Sequence, residues 1–297
     1  MADAPAIETV DLGKRFGSTW ALRHCTLAIP EGRVCGLVGA NGAGKTTLLR
    51  MLAGLSRPST GEARLAGHPP ADDPAFLGGI GYLAQEVPLY RRWTAADHLA
   101  LGAHMNPVWD DDLARDRLLS LRIPLDRPVH RLSGGMRAQV ALALALGKRP
   151  RVLLLDEPVA ALDPLARREF LASLAGAVAD GGVTVLLSSH LLPDLERVCD
   201  HLVLLADAEP VLAAEIADLL ASHKRLRAPT RDTSAIERDH HVVMRTQTPR
   251  EVTLVVRLAG PVVDPTWQVE DLDLEEIVLA YLERRVDEPT LALAAVR

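Results

Sequence analysis

The segment Gly39-Ala40-Asn41-Gly42-Ala43-Gly44-Lys45-Thr46-Thr47 constrains this chain more than any other. It matches G-x-x-x-x-G-K-[ST], a spacing whose glycines let backbone N–H groups turn toward a polyphosphate without a Cβ in the way. The apolar run Arg33-Val34-Cys35-Gly36-Leu37-Val38 before it reads as a buried strand. From Lys45 to Gly54 the spacing of Leu48, Leu49 and Leu52 predicts a helix. A loop between strand and helix places an anion at the positive end of the helix dipole. Gly39, Asn41, Gly42, Ala43 and Gly44 would line the phosphates. Lys45 can reach the β- and γ-phosphates, and the Thr46 hydroxyl can coordinate Mg²⁺, with Thr47 beside it. A dinucleotide fingerprint needs G-x-G-x-x-G, which is not this spacing.

A second signal is Val152-Leu153-Leu154-Leu155-Asp156-Glu157-Pro158. Four apolar residues in a row read as a strand buried on both faces. Ligands of α/β sheets bind beyond the carboxyl ends of strands. Adjacent strand residues point to opposite sides, so the two acids are expected to do different jobs. Asp156 would hold Mg²⁺ through water, and Glu157 would orient or deprotonate an attacking water. An Asp-Glu pair favours ATP hydrolysis over transfer to another acceptor.

Around these motifs, strands expected at 7–12, 20–30, 183–188 and 202–206 alternate with helices expected at 94–122, 133–147, 165–179 and 191–199. That alternation predicts an α/β fold with a largely parallel sheet. After about residue 212 the character changes. Residues 225–238 are polar, 241–245 and 251–258 are strand-like, and 267–286 end in a helix, which together read as a small α+β appendage. Residues 287–297 read as a loose tail. The formal net charge of −6 and 3% aromatic content argue against nucleic acid as a partner. Cys25, Cys35 and Cys199 are widely spaced, without the pattern of a disulfide framework or zinc site. The start of the chain lacks a basic region followed by an apolar run, so no signal peptide is expected. The stretch 170–193 is long enough for a membrane span, but Asp180-Gly181-Gly182 interrupts it. His240-His241 lacks further ligand spacing and is expected to face solvent.

Between the two phosphate-site motifs lies Leu132-Ser133-Gly134-Gly135-Met136-Arg137, opening a helix. Over about residues 5–220 the chain resembles ABC-type ATPases. Tyr82-Leu83-Ala84-Gln85 resembles their Q-loop, Ala161-Leu162-Asp163-Pro164 their D-loop and Ser188-Ser189-His190 their histidine switch. The resemblance implies a P-loop NTPase with a helical subdomain (about 86–150) and an antiparallel β subdomain in residues 1–220. A small accessory domain and tail would follow in 221–297.

It further implies that Phe16 stacks on adenine and that Gln85 touches Mg²⁺ or the lytic water. His190 would contact the γ-phosphate, making Glu157, His190, Lys45 and Gln85 the catalytic set. Mg²⁺ would be met by Thr46, Gln85 and Asp156. Ser133, Gly134 and Gly135 would close over ATP held by a second subunit, with Asp163 bridging the two. Met136 and Ala161 depart from residues frequent in the family, and neither removes a catalytic group.

The expected function is the ATP-binding and hydrolysing subunit of an ABC transporter. It would dimerise head to tail with itself or a homologous subunit. It would sit in the cytoplasm against a transmembrane permease. The region 85–107, with Leu89, Tyr90, Trp93 and Leu99, would receive that partner. The segment 272–279 and the Ser-Ser-His-Leu-Leu run resemble ABC-2-type exporters, including drug-efflux ATPases, and imply export. The alternative is a nucleotide-gated regulatory module not dedicated to transport.

Overall fold

The computed structural model describes residues 5–287, so the expected tail lies outside them except for Asp287. The chain divides into two compact units, 1–210 and 211–297; the expected boundary was near 220.

The first unit contains β1 (Ile7–Phe16), β2 (Thr19–Ile29), β3 (Val34–Val38), α1 (Lys45–Leu52), β4 (Thr60–Leu65), α2 (Pro74–Gly78) and β5 (Ile80–Leu83). Then follow α3 (Ala95–Met105), α4 (Asp111–Ser120), α5 (Gly134–Gly147), β6 (Val152–Asp156), α6 (Pro164–Gly181), β7 (Thr184–Ser188), α7 (Leu192–Glu196) and β8 (His201–Ala206). β9 (Glu209–Glu215) runs across the division. β4 carries no clear sequence signal, because TGEARL lacks an apolar alternation strong enough to mark it.

Two sheets organise this unit. One is three-stranded, antiparallel, in the order β2-β1-β4. The other is six-stranded, in the order β5-β6-β7-β3-β8-β9. Its β5/β6, β6/β7, β7/β3 and β3/β8 pairs are parallel. β3, β6 and β7 are buried at every residue, as strands covered on both faces must be. The core joins Ile7, Leu12 and Leu22 of the smaller sheet to Leu37, Leu154 and Leu186 of the larger one. Helix α1 contributes Leu48, Leu49, Met51 and Leu52 to the same core. It is thus held rigidly from its first turn.

A separate cluster forms from α3, α4 and α5, with Leu99, Leu118, Ile123 and Val140 fully or almost fully buried. The helical segment expected over 94–122 is two helices. Pro107, lying between α3 and α4, cannot donate an N–H to a continuous helix. Thr94 and Asp97 form a reciprocal capping box at the start of α3. α5 packs against α3, α4, α6 and β5, so nine of its residues are buried. Leu99 is wholly buried in this cluster, which corrects its expected place in a partner groove. Tyr90 and Trp93 are exposed, with ring centroids 4.8 Å apart. Cys25 and Cys35 are buried, and desolvation pushes each thiol up to about 12.

The second unit contains α8 (Ile216–Ser222), β10 (His223–Pro229), α9 (Ser234–Asp239), β11 (His241–Gln247), β12 (Glu251–Arg257), β13 (Gln268–Asp271) and α10 (Leu274–Asp287). Its sheet has the order β11-β12-β10-β13, with every adjacent pair antiparallel. Leu226, Val252, Leu254, Val256 and Trp267 form its core. β10 runs into the polar stretch that starts at residue 225. Arg225 and Arg227 are ion-paired to Glu270, and Arg225 also to Glu276, which lets basic residues occupy a central strand. His240 is buried and its Nδ1 accepts from the Ala259 N–H at 3.3 Å. The expectation of a solvent-facing His240 is therefore corrected.

His223 is fully buried between the Leu219 carbonyl, 2.9 Å from Nδ1, and the Tyr281 hydroxyl, 3.1 Å from Nε2. Burial is the main force lowering its pKa, and Arg257 and His241 add to it. The folded state therefore favours neutral imidazole. The associated stability is present above the ordinary histidine value of about 6.5 and is lost as pH falls below it. Thermal unfolding of the native chain should show a midpoint falling between about pH 7.5 and about pH 5.5. A His223→Gln variant should show a flatter profile, and equal slopes would refute the assignment.

Candidate functional site

The larger sheet brings separate stretches of the chain to one edge. The phosphate loop follows β3, Gln85 follows β5, Glu157 follows β6 and His190 follows β7. These four strands are consecutive in the sheet. Their carboxyl ends therefore face one cleft of about 800 Å³, lined by Gly39, Asn41, Gly42, Gly44, Lys45, Thr46, Thr47, Gln85, Glu157 and His190, with Ala21, Ala40 and Ala160. The two Ala residues outside the loop carry no polar side chain, so no sequence signal marks them.

The loop's backbone explains its glycines. Gly44 is the N-cap of α1, with φ 105°, and supplies no side-chain cap. The N–H groups of the first helical turn, which have no partner within a helix, thus remain for an anion. Lys45 is 7% exposed. Its Nζ donates to the carbonyls of Gly39 at 2.8 Å and Ala40 at 3.3 Å, and lies 3.7 Å from Glu157 Oε1.

Below the cleft, Asp156 is 1% exposed. Its Oδ1 accepts from the Thr46 hydroxyl at 3.0 Å and the Ser188 hydroxyl at 3.1 Å. The buried pairing of a hydroxyl with a carboxylate fits Mg²⁺, which takes one or two protein oxygens and completes its shell with water and phosphate. Among the described residues no cluster of three or more His, Cys, Asp or Glu could form an all-protein metal cage.

Glu157 lies one residue beyond β6, with φ 49°. This left-handed turn ends the strand's alternation. Asp156 and Glu157 therefore both converge on the phosphate loop, and the expected division to opposite sides of a strand does not hold. Glu157 Oε2 lies 2.8 Å from His190 Nδ1. His190 is half exposed while Glu157 is about nine-tenths buried.

The other expected residues lie outside the cleft lining. Phe16 is 59% exposed, with Lys14 Nζ 5.3 Å from its ring centroid. Ala43 is buried within the core. Ser133 is the N-cap of α5 and accepts from Met136 N–H at 3.2 Å. Gly134 follows it, and at Gly135 a Cβ would sit 2.7 Å from the Ala166 methyl. Asp163 caps α6, accepting from the N–H groups of Leu165 and Ala166. A further cavity of about 460 Å³, lined by Leu65, Phe76, Ile80, Arg151 and Val152 among others, carries none of the phosphate-site groups.

A phosphate loop joined to a parallel sheet, with paired acids at the end of a neighbouring strand, defines a P-loop nucleotide-binding fold. Residues 22–160 match the family model described as ABC transporter. The chain is 36% identical over 214 residues to the thiamine import ATP-binding protein ThiQ of Jannaschia sp. (strain CCS1), covering 70% of this chain and 93% of that one. It is 38% identical over 218 residues to the molybdenum import ATP-binding protein ModC of Aromatoleum aromaticum, covering 70% and 58%. A solved structure described as the ATP binding subunit of an ABC transporter superposes with a TM-score of 0.65 at 28% identity, over 73% of this chain and 92% of that one. This chain belongs to the ABC transporter ATP-binding family. It spans about 60% of the length of two matched relatives, ModC and a Nostoc protein of the same family.

Proposed function

We propose that this chain binds and hydrolyses MgATP as the energy-supplying subunit of a membrane transporter. The convergence of Lys45, Gln85, Glu157 and His190 on one cleft, over the Thr46–Asp156 pair, carries this reading. Thr46 and Asp156 would hold Mg²⁺, with Gln85 reaching it from the cleft wall. Magnesium, when bound, neutralises charge across the β- and γ-phosphates. Lys45 would exchange its loop carbonyls for phosphate oxygens. Glu157 would accept a proton from water, and His190, 2.8 Å from it, would hold its orientation and contact the γ-phosphate. Phe16, exposed at the end of β1, would offer a ring face to adenine.

The ATP-binding module would cover residues 1–220, with its helical part at about 86–150. Ser133, Gly134 and Gly135 lie outside their own chain's cleft lining, which favours their closing over ATP on a second subunit, with Asp163 at that junction. Two ATP molecules would then draw the subunits together head to tail, and hydrolysis would release them. No helix among the described residues is long and apolar enough to cross a membrane, so a separate permease would supply the path. Exposed Tyr90 and Trp93 are the residues offered to it. The chain would work in the cytoplasm at the membrane's inner face. Export is favoured by the ending at 272–279 and by the Ser-Ser-His-Leu-Leu run, although matched relatives such as ThiQ carry import in their names.

Steady-state ATP hydrolysis, with and without Mg²⁺, tests the enzymatic part. Copurification with a coexpressed membrane protein tests the transport part. Mg²⁺-dependent turnover and stable copurification are expected. Failure to copurify with any membrane protein would favour the nucleotide-gated regulatory module.

A further inference from the structure

We propose that Ser188 is a positioning residue for the proposed hydrolysis, setting the backbone of Glu157 and the carboxylate of Asp156 through one hydroxyl. The inference rests on the ATPase reading above. Ser188 ends β7, is completely buried, and stands opposite Asp156 in the sheet register. Its Oγ accepts from the Glu157 N–H at 2.8 Å and donates to Asp156 Oδ1 at 3.1 Å.

The polarity of this relay is forced. A backbone amide can only donate, so the Ser188 oxygen accepts from Glu157 and keeps its own proton for Asp156 Oδ1. The single hydroxyl proton must therefore point to Asp156, and a lone pair must face Glu157. Glu157 occupies φ 49°, a region disfavoured for any residue with a Cβ. Such a conformation persists only where its surroundings over-determine it. The Ser188 hydroxyl supplies that constraint by receiving the amide of the residue concerned. If Glu157 relaxed to extended backbone, strand alternation would carry its side chain away from Lys45 and His190.

The same hydroxyl shares Asp156 Oδ1 with Thr46. One buried group thus ties the acid that would meet the metal to the acid that would meet the water. Ser188 itself does not line the cleft. It acts through its neighbours.

The test uses the full chain as native protein, Ser188→Ala, Ser188→Thr, Glu157→Gln and the Glu157→Gln/Ser188→Ala double variant. Steady-state MgATP hydrolysis and hydrogen exchange of the Glu157 amide are measured on each. Ser188→Ala should lower kcat about ten- to a hundredfold while KM moves less than about threefold, since misplacing a reactive group costs turnover more than binding. Ser188→Thr keeps the hydroxyl and should retain most of the rate. On the Glu157→Gln background, adding Ser188→Ala should change residual turnover by less than about twofold, because the two residues act as one unit. The Glu157 amide should exchange about tenfold faster in Ser188→Ala.

A native-like kcat in Ser188→Ala overturns the proposal. So does an equal proportional loss on both backgrounds, or unchanged exchange of the Glu157 amide. If Ser188→Thr is poorly packed, the double variant and the exchange rate still decide. If the native chain turns over no ATP, the functional reading fails, and the amide exchange alone judges the Ser188 linkage.

Discussion

Glu157→Gln is expected to reduce ATP turnover by about two to four orders of magnitude, the range attributable to a positioned general base, while nucleotide affinity stays within a few-fold. Glutamine matches glutamate in shape and can still meet His190, which lies 2.8 Å from Oε2 in the native chain. What it lacks is the capacity to take a proton. Glu157 is about nine-tenths buried, with Lys45 Nζ 3.7 Å from its other oxygen. No bulk water can substitute readily for a base held in that enclosure. ATP would bind but not be consumed, and the closed dimer would accumulate. Rapid-quench hydrolysis and sedimentation with MgATP measure the two consequences separately. Turnover within about tenfold of native would remove Glu157 from the role of base. A monomer with bound ATP would remove the shared-site dimer.

Gly44→Ala should abolish measurable ATP binding and lower stability by about 2–4 kcal/mol, from strain and overpacking combined. The position combines two obstacles. Its φ of 105° lies beyond even the left-handed region tolerated by residues with a Cβ. An added Cβ would also sit 2.5 Å from the Ala21 carbonyl oxygen. That oxygen belongs to the backbone of β2, which pairs with β1 in the smaller sheet, so it cannot swing aside as a side chain would. Relief would require the loop to move, and the loop's N–H groups are the phosphate site. Gly17 supplies the contrast: its φ is 59°, and nothing lies within 4 Å of the position an added Cβ would take. Gly17→Ala should therefore cost about 1 kcal/mol and leave binding intact. Thermal unfolding and nucleotide titration of both variants make the comparison. Equal behaviour would show that loop sterics do not govern the site.

The site's chemistry is readable because it is concentrated in short runs. G-x-x-x-x-G-K-[ST] carries its own geometric logic, and four apolar residues before Asp156 announce a strand buried on both faces. The helix after the loop and the change of character after about residue 212 are equally visible. Less is readable where local composition and environment diverge. β10 hides behind Lys224, Arg225 and Arg227, because their ion pairs form only once β13 and α10 are in place. Leu99 and His240 look like surface residues in the sequence, yet neighbouring elements cover both. Ser188 gives no sign of its contacts, since serine in a strand is ambiguous until the opposite strand is known.

Residues 39–47 and 152–157 thus specify, from their own order, a phosphate-binding turn and a pair of acids at a strand's end. Side-chain type and spacing suffice there because a glycine-rich turn and an apolar strand run are local backbone features, and Lys45 closes the turn on the carbonyls of Gly39 and Ala40. The order β5-β6-β7-β3 belongs to the tertiary structure. It gathers Gln85, Glu157, His190 and Lys45 from far-separated parts of the chain. The left-handed turn at Glu157 belongs there too, as does the single buried hydroxyl that joins Glu157 to Asp156. The physical reason is that strand pairing is decided by which apolar faces can be buried together, a property of the whole core rather than of any local period.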